Sequence, residues 1–162
     1  MKTILLIMVG LTVSTWASLS RDASTSVVTD SITGLQWQDN NTTSNDFPGA
    51  IQYCEDLTLA GKSDWRLPNI NELNSIFDFS KATENNVTGL LVAPFTQGAV
   101  IQSDPNPAGR VINMFGTISS TTDESNTSRA WLVNFYTVST SDTVISVPKY
   151  DSTSLVRCVR SN

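Results

Sequence analysis

The chain has 162 residues, which suits one domain with a buried core and leaves little room for a second. Its 15 acidic and 10 basic residues give a net charge of −5, which disfavours nucleic acids and anionic polysaccharides as partners, because both demand a clustered basic surface. Histidine is absent, so the commonest general base, the commonest metal ligand and the usual partner of a nucleophilic serine are missing, and the composition points to a non-enzymatic protein.

Lys2, the apolar run Ile4 to Val13 and the small residues Thr15 and Ala17 predict a secretory leader over residues 1–17, cleaved after Ala17. A membrane anchor needs roughly 20 apolar residues, and the polar stretch from Ser18 to Ser26 arrives too soon, so no membrane insertion is expected once the leader is gone. Residues 18–26 read as a linker and 27–162 as the folded domain. In an exported chain the two cysteines, Cys54 and Cys158, are expected to pair, closing a loop of roughly a hundred residues.

Val27 to Thr29 and Leu35 to Trp37 are β-prone runs around a turn-rich spacer ending in Gly34, which predicts a hairpin. Asp46 as cap, Pro48 in the first turn and Ala50, Ile51, Cys54 and Leu57 at helical spacing predict a first helix, with Gly61 closing it. A second helix is expected from Asn69, which can cap it with Glu72 answering three residues on, and Ile70, Leu73, Ile76 and Phe77 form its buried face. Lys81 to Gly116 is a long irregular region. Trp131, Val133 and Phe135 alternate with Leu132, Asn134 and Tyr136 in a central strand, with Val144 to Val147 beside it. In the last run, Val156 and Cys158 face inward and Arg157 outward. Helices first and strands after predict an α+β domain, two helices packed on a twisted antiparallel sheet with a long irregular loop region.

Asp64-Trp65-Arg66-Leu67-Pro68-Asn69 followed by Glu72-Leu73 resembles a family of exported bacterial domains typified by the C-terminal domain of the Legionella collagen-like adhesin. The likeness extends to Thr33 to Trp37, Ala50 to Cys54, Gly116 to Thr121, Ala130-Trp131 and Val156 to Arg160, nearly all of the chain after the leader. It implies a C-type-lectin-like fold, a secreted or surface location with the periplasm as the alternative, and, for the adhesin, binding of sulfated glycans and self-association. Cys54 and Cys158 stand where the family places its structural bridge. Here the acidic surface suits neutral glycans instead.

Within that frame Trp65, Arg66, Pro68, Asn69, Glu72 and Trp131 are expected to be structural, Trp65 filling core and Arg66 pairing with a buried carboxylate or a strand carbonyl. The expected ligand contacts are Asp104, Asn106, Arg110, Asp123, Glu124 and Asn126, because loops on a rigid frame commonly carry binding. No cofactor is expected. Asp104-Pro105-Asn106 has the acidic-Pro-Asn pattern of calcium-dependent sugar lectins, and Asp123, Glu124 and Asn126 add oxygens, but Ca²⁺ needs about six to eight of them and ordinary turn chemistry is the favoured reading. Ser119, Ser120 and Thr121 have no base nearby in sequence, and Asp123 and Glu124, read as strand neighbours, face opposite ways. Asn40, Asn41, Asn86 and Asn126 begin Asn-x-Ser/Thr triplets, read as chance in so polar a chain. The function expected is glycan recognition, with a protein-binding or self-associating surface component, including a homo-oligomer, as the alternative.

Overall fold

The computed structural model describes residues 19–40, 42–44, 46–78, 92–95, 116–135, 143–150 and 154–162, so the expected leader and most of the irregular region lie outside the described residues. The first three strands, β1 (Leu19–Asp22), β2 (Val27–Asp30) and β3 (Leu35–Gln38), form an antiparallel meander. The β2–β3 connection is the expected hairpin. The Asp30 carboxylate accepts from the Ile32 N–H at 2.9 Å and from the Thr33 hydroxyl at 2.7 Å. Gly34, at φ 69°, takes the left-handed conformation that glycine adopts without a Cβ penalty.

The linker reading of residues 18–26 is corrected over Leu19–Asp22, which pair with β2 as the edge of the sheet. An edge strand with one inward face needs anchored residues only at alternate positions. Leu19 packs on the core, and Arg21 Nε donates to Asp39 at 2.5 Å, so a small, polar composition conceals a strand.

After β4 (Thr42–Ser44), α1 spans Phe47–Glu55. Asp46 caps it, accepting from the Gly49 N–H at 2.7 Å. A Cβ on Gly49 would come within 2.7 Å of Ser44 Oγ and 2.8 Å of Asp46 Oδ1, so a larger residue there would displace the capping side chains. Gly61 does not close this helix. Asp56 does, and Ala60 and Gly61, at φ 53° and 70°, instead make the tight turn of the Leu59–Lys62 bridge. Two successive left-handed residues are the geometry of the two-residue hairpin. The turn serves Trp65, which is buried as expected and whose Nε1 donates to the Lys62 carbonyl at 3.2 Å.

The second helix, α2 (Ile70–Ser75), carries the predicted capping box: Asn69 Oδ1 accepts from the Glu72 N–H at 2.9 Å and Glu72 from the Asn69 N–H at 2.8 Å. Leu73, Ile76 and Phe77 are buried and Ile70 partly so. Arg66 departs from expectation. Its guanidinium grips Glu72 bidentately at 2.8 and 2.6 Å in a half-exposed setting, while its backbone bridges to Val159. The sequence suggests a buried partner, but the capping carboxylate, six residues on, is within reach and already fixed in place.

Two sheets, rather than the single antiparallel one expected, organise the strands. One has the order β1-β2-β3-β9; the other runs β4-β8-β5-β6-β7, with β5 (Thr117–Thr122), β6 (Arg129–Val133), β7 (Val144–Pro148), β8 (Ser154–Val156) and β9 (Val159–Ser161). The second is mixed, because β5 and β8 are parallel. The terminal run crosses from one sheet to the other at Arg157 and Cys158, and this crossing overturns the outward placement of Arg157. It is 2% exposed, because a segment passing between two sheets is covered on both sides. The expected central strand is β6, flanked by β5 and β7. Ala130 and Leu132 enter one core cluster with Ala50, Cys54, Trp65 and Cys158. Val133 enters the other with Trp37, Leu73, Phe77 and Phe135. Ala130 and Leu132 make one face fully buried, while the other is buried at Val133 and only partly so at Arg129 and Trp131.

Cys54 and Cys158 form the expected disulfide. Gly116 allows a close approach in the second sheet: a Cβ there would lie 1.8 Å from Leu132 Cδ2 and 2.9 Å from the Val133 carbonyl oxygen. Gly116→Ala is expected to destabilise the fold by about 1 to 3 kcal/mol, the range for overpacking a core. The check is a lower urea midpoint at unchanged slope; an unshifted midpoint would mean that β5 yields without strain.

Candidate binding site

The one group of predicted contact residues within the described chain sits on the turn joining β5 to β6. Contrary to the strand reading, Asp123 and Glu124 lie beyond the end of β5. Asp123 is buried at 6% exposure. Its Oδ1 accepts from the Ser125 N–H at 2.9 Å and the Ser125 hydroxyl at 2.6 Å, and its Oδ2 from the Ser146 hydroxyl at 2.6 Å. The Ser125 hydroxyl, then that of Ser146, hold the Asp123 carboxyl below its ordinary value of 3.8. It is a staple that ties the turn to β7, consistent with ordinary turn chemistry.

Asn126 is exposed, and its Oδ1 accepts from the Ser128 N–H at 3.1 Å and the Ser128 hydroxyl at 2.7 Å. Glu124, Ser125, Thr127 and Ser128 are exposed beside it. Arg129 opens β6, donating from Nε to Ser146 Oγ at 3.0 Å and from a terminal nitrogen to the Ser146 carbonyl. Lys149, beyond β7, donates to Thr122 Oγ1 at 2.8 Å and stands 5.0 Å above the Phe47 ring. The corner thus presents one carboxylate, two cations, one amide and three hydroxyls, held by β-strands on two sides.

Trp131 shares a face of β6 with Arg129 and Val133. It is only partly buried and belongs to neither core cluster, although the sequence marks it as structural. A large aromatic ring left partly open beside fixed polar groups is the usual composition of a binding hot spot. Trp131, expected either as scaffold or as a stacking face, is thus partly buried, and its alternation with the buried Ala130 and Leu132 is the sequence signal. Tyr136, the other stacking candidate, lies outside the described residues.

Asp104, Asn106 and Arg110 also lie outside the described residues. Among the described residues no cluster of three or more acidic, cysteine or histidine side chains has the geometry to hold a metal ion. Two of the Asp123 oxygens' available directions are already taken by hydroxyl donors.

The same electrostatics set a pH response. Arg66, by its hydrogen bonds, holds Glu72 below its ordinary 4.5, as the serines do for Asp123. A carboxylate whose folded pKa is depressed adds stability above its unfolded value and loses it as pH falls through the folded one. Stability is therefore expected to be level above about pH 5 and to decline below it, with Glu72→Gln flattening that decline. A decline of unchanged slope in the variant would remove Glu72 as a contributor.

A family model, the Lcl C-terminal domain, matches residues 26–160. The chain belongs to the Lcl C-terminal domain family. The match begins one residue before β2 and ends within β9, so it takes in the disulfide, the capping box, Gly116 and the β5–β6 corner. No curated protein and no solved structure matches the chain. Among the described residues no helix is long and apolar enough to cross a membrane.

Proposed function

We propose that this chain is an exported, non-enzymatic binding module of C-type-lectin-like architecture that recognises hydroxyl-rich, neutral glycans at the β5–β6 corner. The observation that carries the reading is Trp131: a partly open indole outside both core clusters, on the face of β6 that also bears Arg129. Sugar rings present apolar C–H faces to an indole and hydroxyls to amides, carboxylates and guanidinium groups. Glu124, Asn126 and Arg129 supply those polar partners, with Asp104, Asn106 and Arg110 as the further expected contacts. The expected secretory leader, a disulfide suited to an oxidising compartment and membership of the Lcl C-terminal domain family support export to the periplasm or cell surface.

The test is a glycan array probed with the full chain in calcium and in chelator. Reproducible binding that Trp131→Ala lowers by about tenfold or more, as for an aromatic hot spot, supports the corner. Binding untouched by that change overturns it, and loss of signal in chelator would add a Ca²⁺ site built on Asp104 and Asn106. The second reading is a protein partner or a second copy of this chain, favoured by Tyr150, 63% exposed just beyond the edge strand β7. Silence on the array together with a sugar-independent oligomer supports that reading.

A further inference from the structure

The β5–β6 turn carries a second chemical signal, distinct from recognition. Asn40, Asn41, Asn86 and Asn126 each begin an Asn-x-Ser/Thr triplet, and a triplet alone says little in a chain so rich in these residues. Three of the four also have a carboxylate two residues before the asparagine: Asp39 before Asn41, Glu84 before Asn86 and Glu124 before Asn126. With 15 acidic residues among 162, chance would put one there in fewer than one triplet of the four. Asp/Glu-x-Asn-x-Ser/Thr is the acceptor pattern of bacterial oligosaccharyltransferases, which need an anion there to pair with a cation of the enzyme.

The fold separates these candidates. Asp39 is fully buried, bonded to Arg21 and Arg157, so its carboxylate is not offered to an enzyme. Glu84 and Asn86 lie outside the described residues. Glu124, Ser125, Asn126, Thr127 and Ser128 are all exposed, five in a row, on a turn pinned from below by Asp123. Within that turn the Ser128 N–H and hydroxyl hold Asn126 Oδ1, which orients the exposed carboxamide through its oxygen.

We propose that Asn126 is an acceptor for N-linked glycosylation by a bacterial-type oligosaccharyltransferase, with a polyprenyl-diphosphate-linked oligosaccharide as the donor. The Asn126 Nδ2 forms a bond to the anomeric carbon of the first sugar. The bond from that carbon to the diphosphate oxygen breaks, the polyprenyl diphosphate leaves with the electron pair, and the amide nitrogen gives up one proton to a base of the enzyme. Glu124 anchors the acceptor, and the Ser128 hydroxyl supplies the second contact that the pattern requires. In the cell the reaction also rests on export, because such transfer takes place outside the cytoplasm.

The experiment has two arms, both on the full chain. In cells carrying a bacterial oligosaccharyltransferase and its lipid-linked donor, and separately with purified enzyme, donor and purified chain, the tryptic peptide between Arg110 and Arg129 is read by mass spectrometry. It contains no other acceptor triplet. The expected result is a mass increase of one oligosaccharide on that peptide, abolished by Asn126→Asp, which keeps the turn's acceptor oxygen. Glu124→Gln should lower occupancy by about tenfold, the scale of one charge-assisted hydrogen bond. An unmodified peptide in the purified reaction, where a standard acceptor peptide is modified, overturns the proposal, as does full occupancy in Glu124→Gln. Modification in the purified reaction but not in cells would count against export alone.

Discussion

Replacing Cys54 and Cys158 together by serine is expected to lower the unfolding free energy by about 4 to 5 kcal/mol, the largest effect of any change to one covalent link in this chain. The bridge spans 104 residues, and in the chain-entropy picture the stabilisation comes from the freedom that so long a loop loses in the unfolded state. That amount is a large share of the roughly 5 to 15 kcal/mol available to a domain of this size. Both cysteines are fully buried in the core cluster that joins α1 to the second sheet. Dithiothreitol should therefore reduce the bond slowly under native conditions and quickly in urea, at a rate that tracks opening of the fold. The check is the urea midpoint and slope of the double variant against the oxidised chain. A loss below about 1.5 kcal/mol would mean that the unfolded chain remains compact without the bridge.

Local chemistry was legible in the sequence wherever one short stretch decides the outcome. The Asp30 to Gly34 turn, the Asp46 cap and the Asn69–Glu72 box are each fixed by residues within five positions of one another, and all three form as read. The central place of β6 was equally plain, because Ala130, Leu132 and Val133 are all buried there. What failed was the part set by distant segments. Gly61 looks like a helix terminator until Trp65 needs a turn against its indole. Leu19–Asp22 looks like linker until β2 offers it an edge. Arg157 looks exposed by alternation, and only the crossing of the terminal run between two sheets buries it. At the candidate site the turn residues Asp123 to Asn126 stood out as oxygen-rich. The division of labour among them, Asp123 inward and Glu124 and Asn126 outward, depends on Ser146 of β7, some twenty residues later in the chain.

The second large effect is expected at Asp39. Its carboxylate accepts from Arg21 Nε at 2.5 Å and from Arg157 Nη1 at 3.3 Å, with Asp39 at 0% and Arg157 at 2% side-chain exposure. Arg157 also donates to the Gln38 carbonyl at 2.7 Å, and its guanidinium lies 4.9 Å from the centre of the Phe95 ring. Burial pushes the Arg157 pKa down to about 10, which leaves the group charged at neutral pH. Removing the carboxylate takes an anion from a buried cation, so Asp39→Ala is expected to lose about 3 to 5 kcal/mol, the range for breaking one side of a buried pair. The pair as a whole is worth much less, because desolvating two charges offsets most of their attraction. Asp39→Asn combined with Arg157→Met should therefore be more stable than the sum of the two single changes predicts, with a positive coupling in a double-mutant cycle read from urea midpoints. Strict additivity would mean that Asp39 and Arg157 act independently. The surface pair Arg66–Glu72 provides the contrast: both its side chains reach solvent, and the same cycle there should return a coupling of about 1 kcal/mol or less.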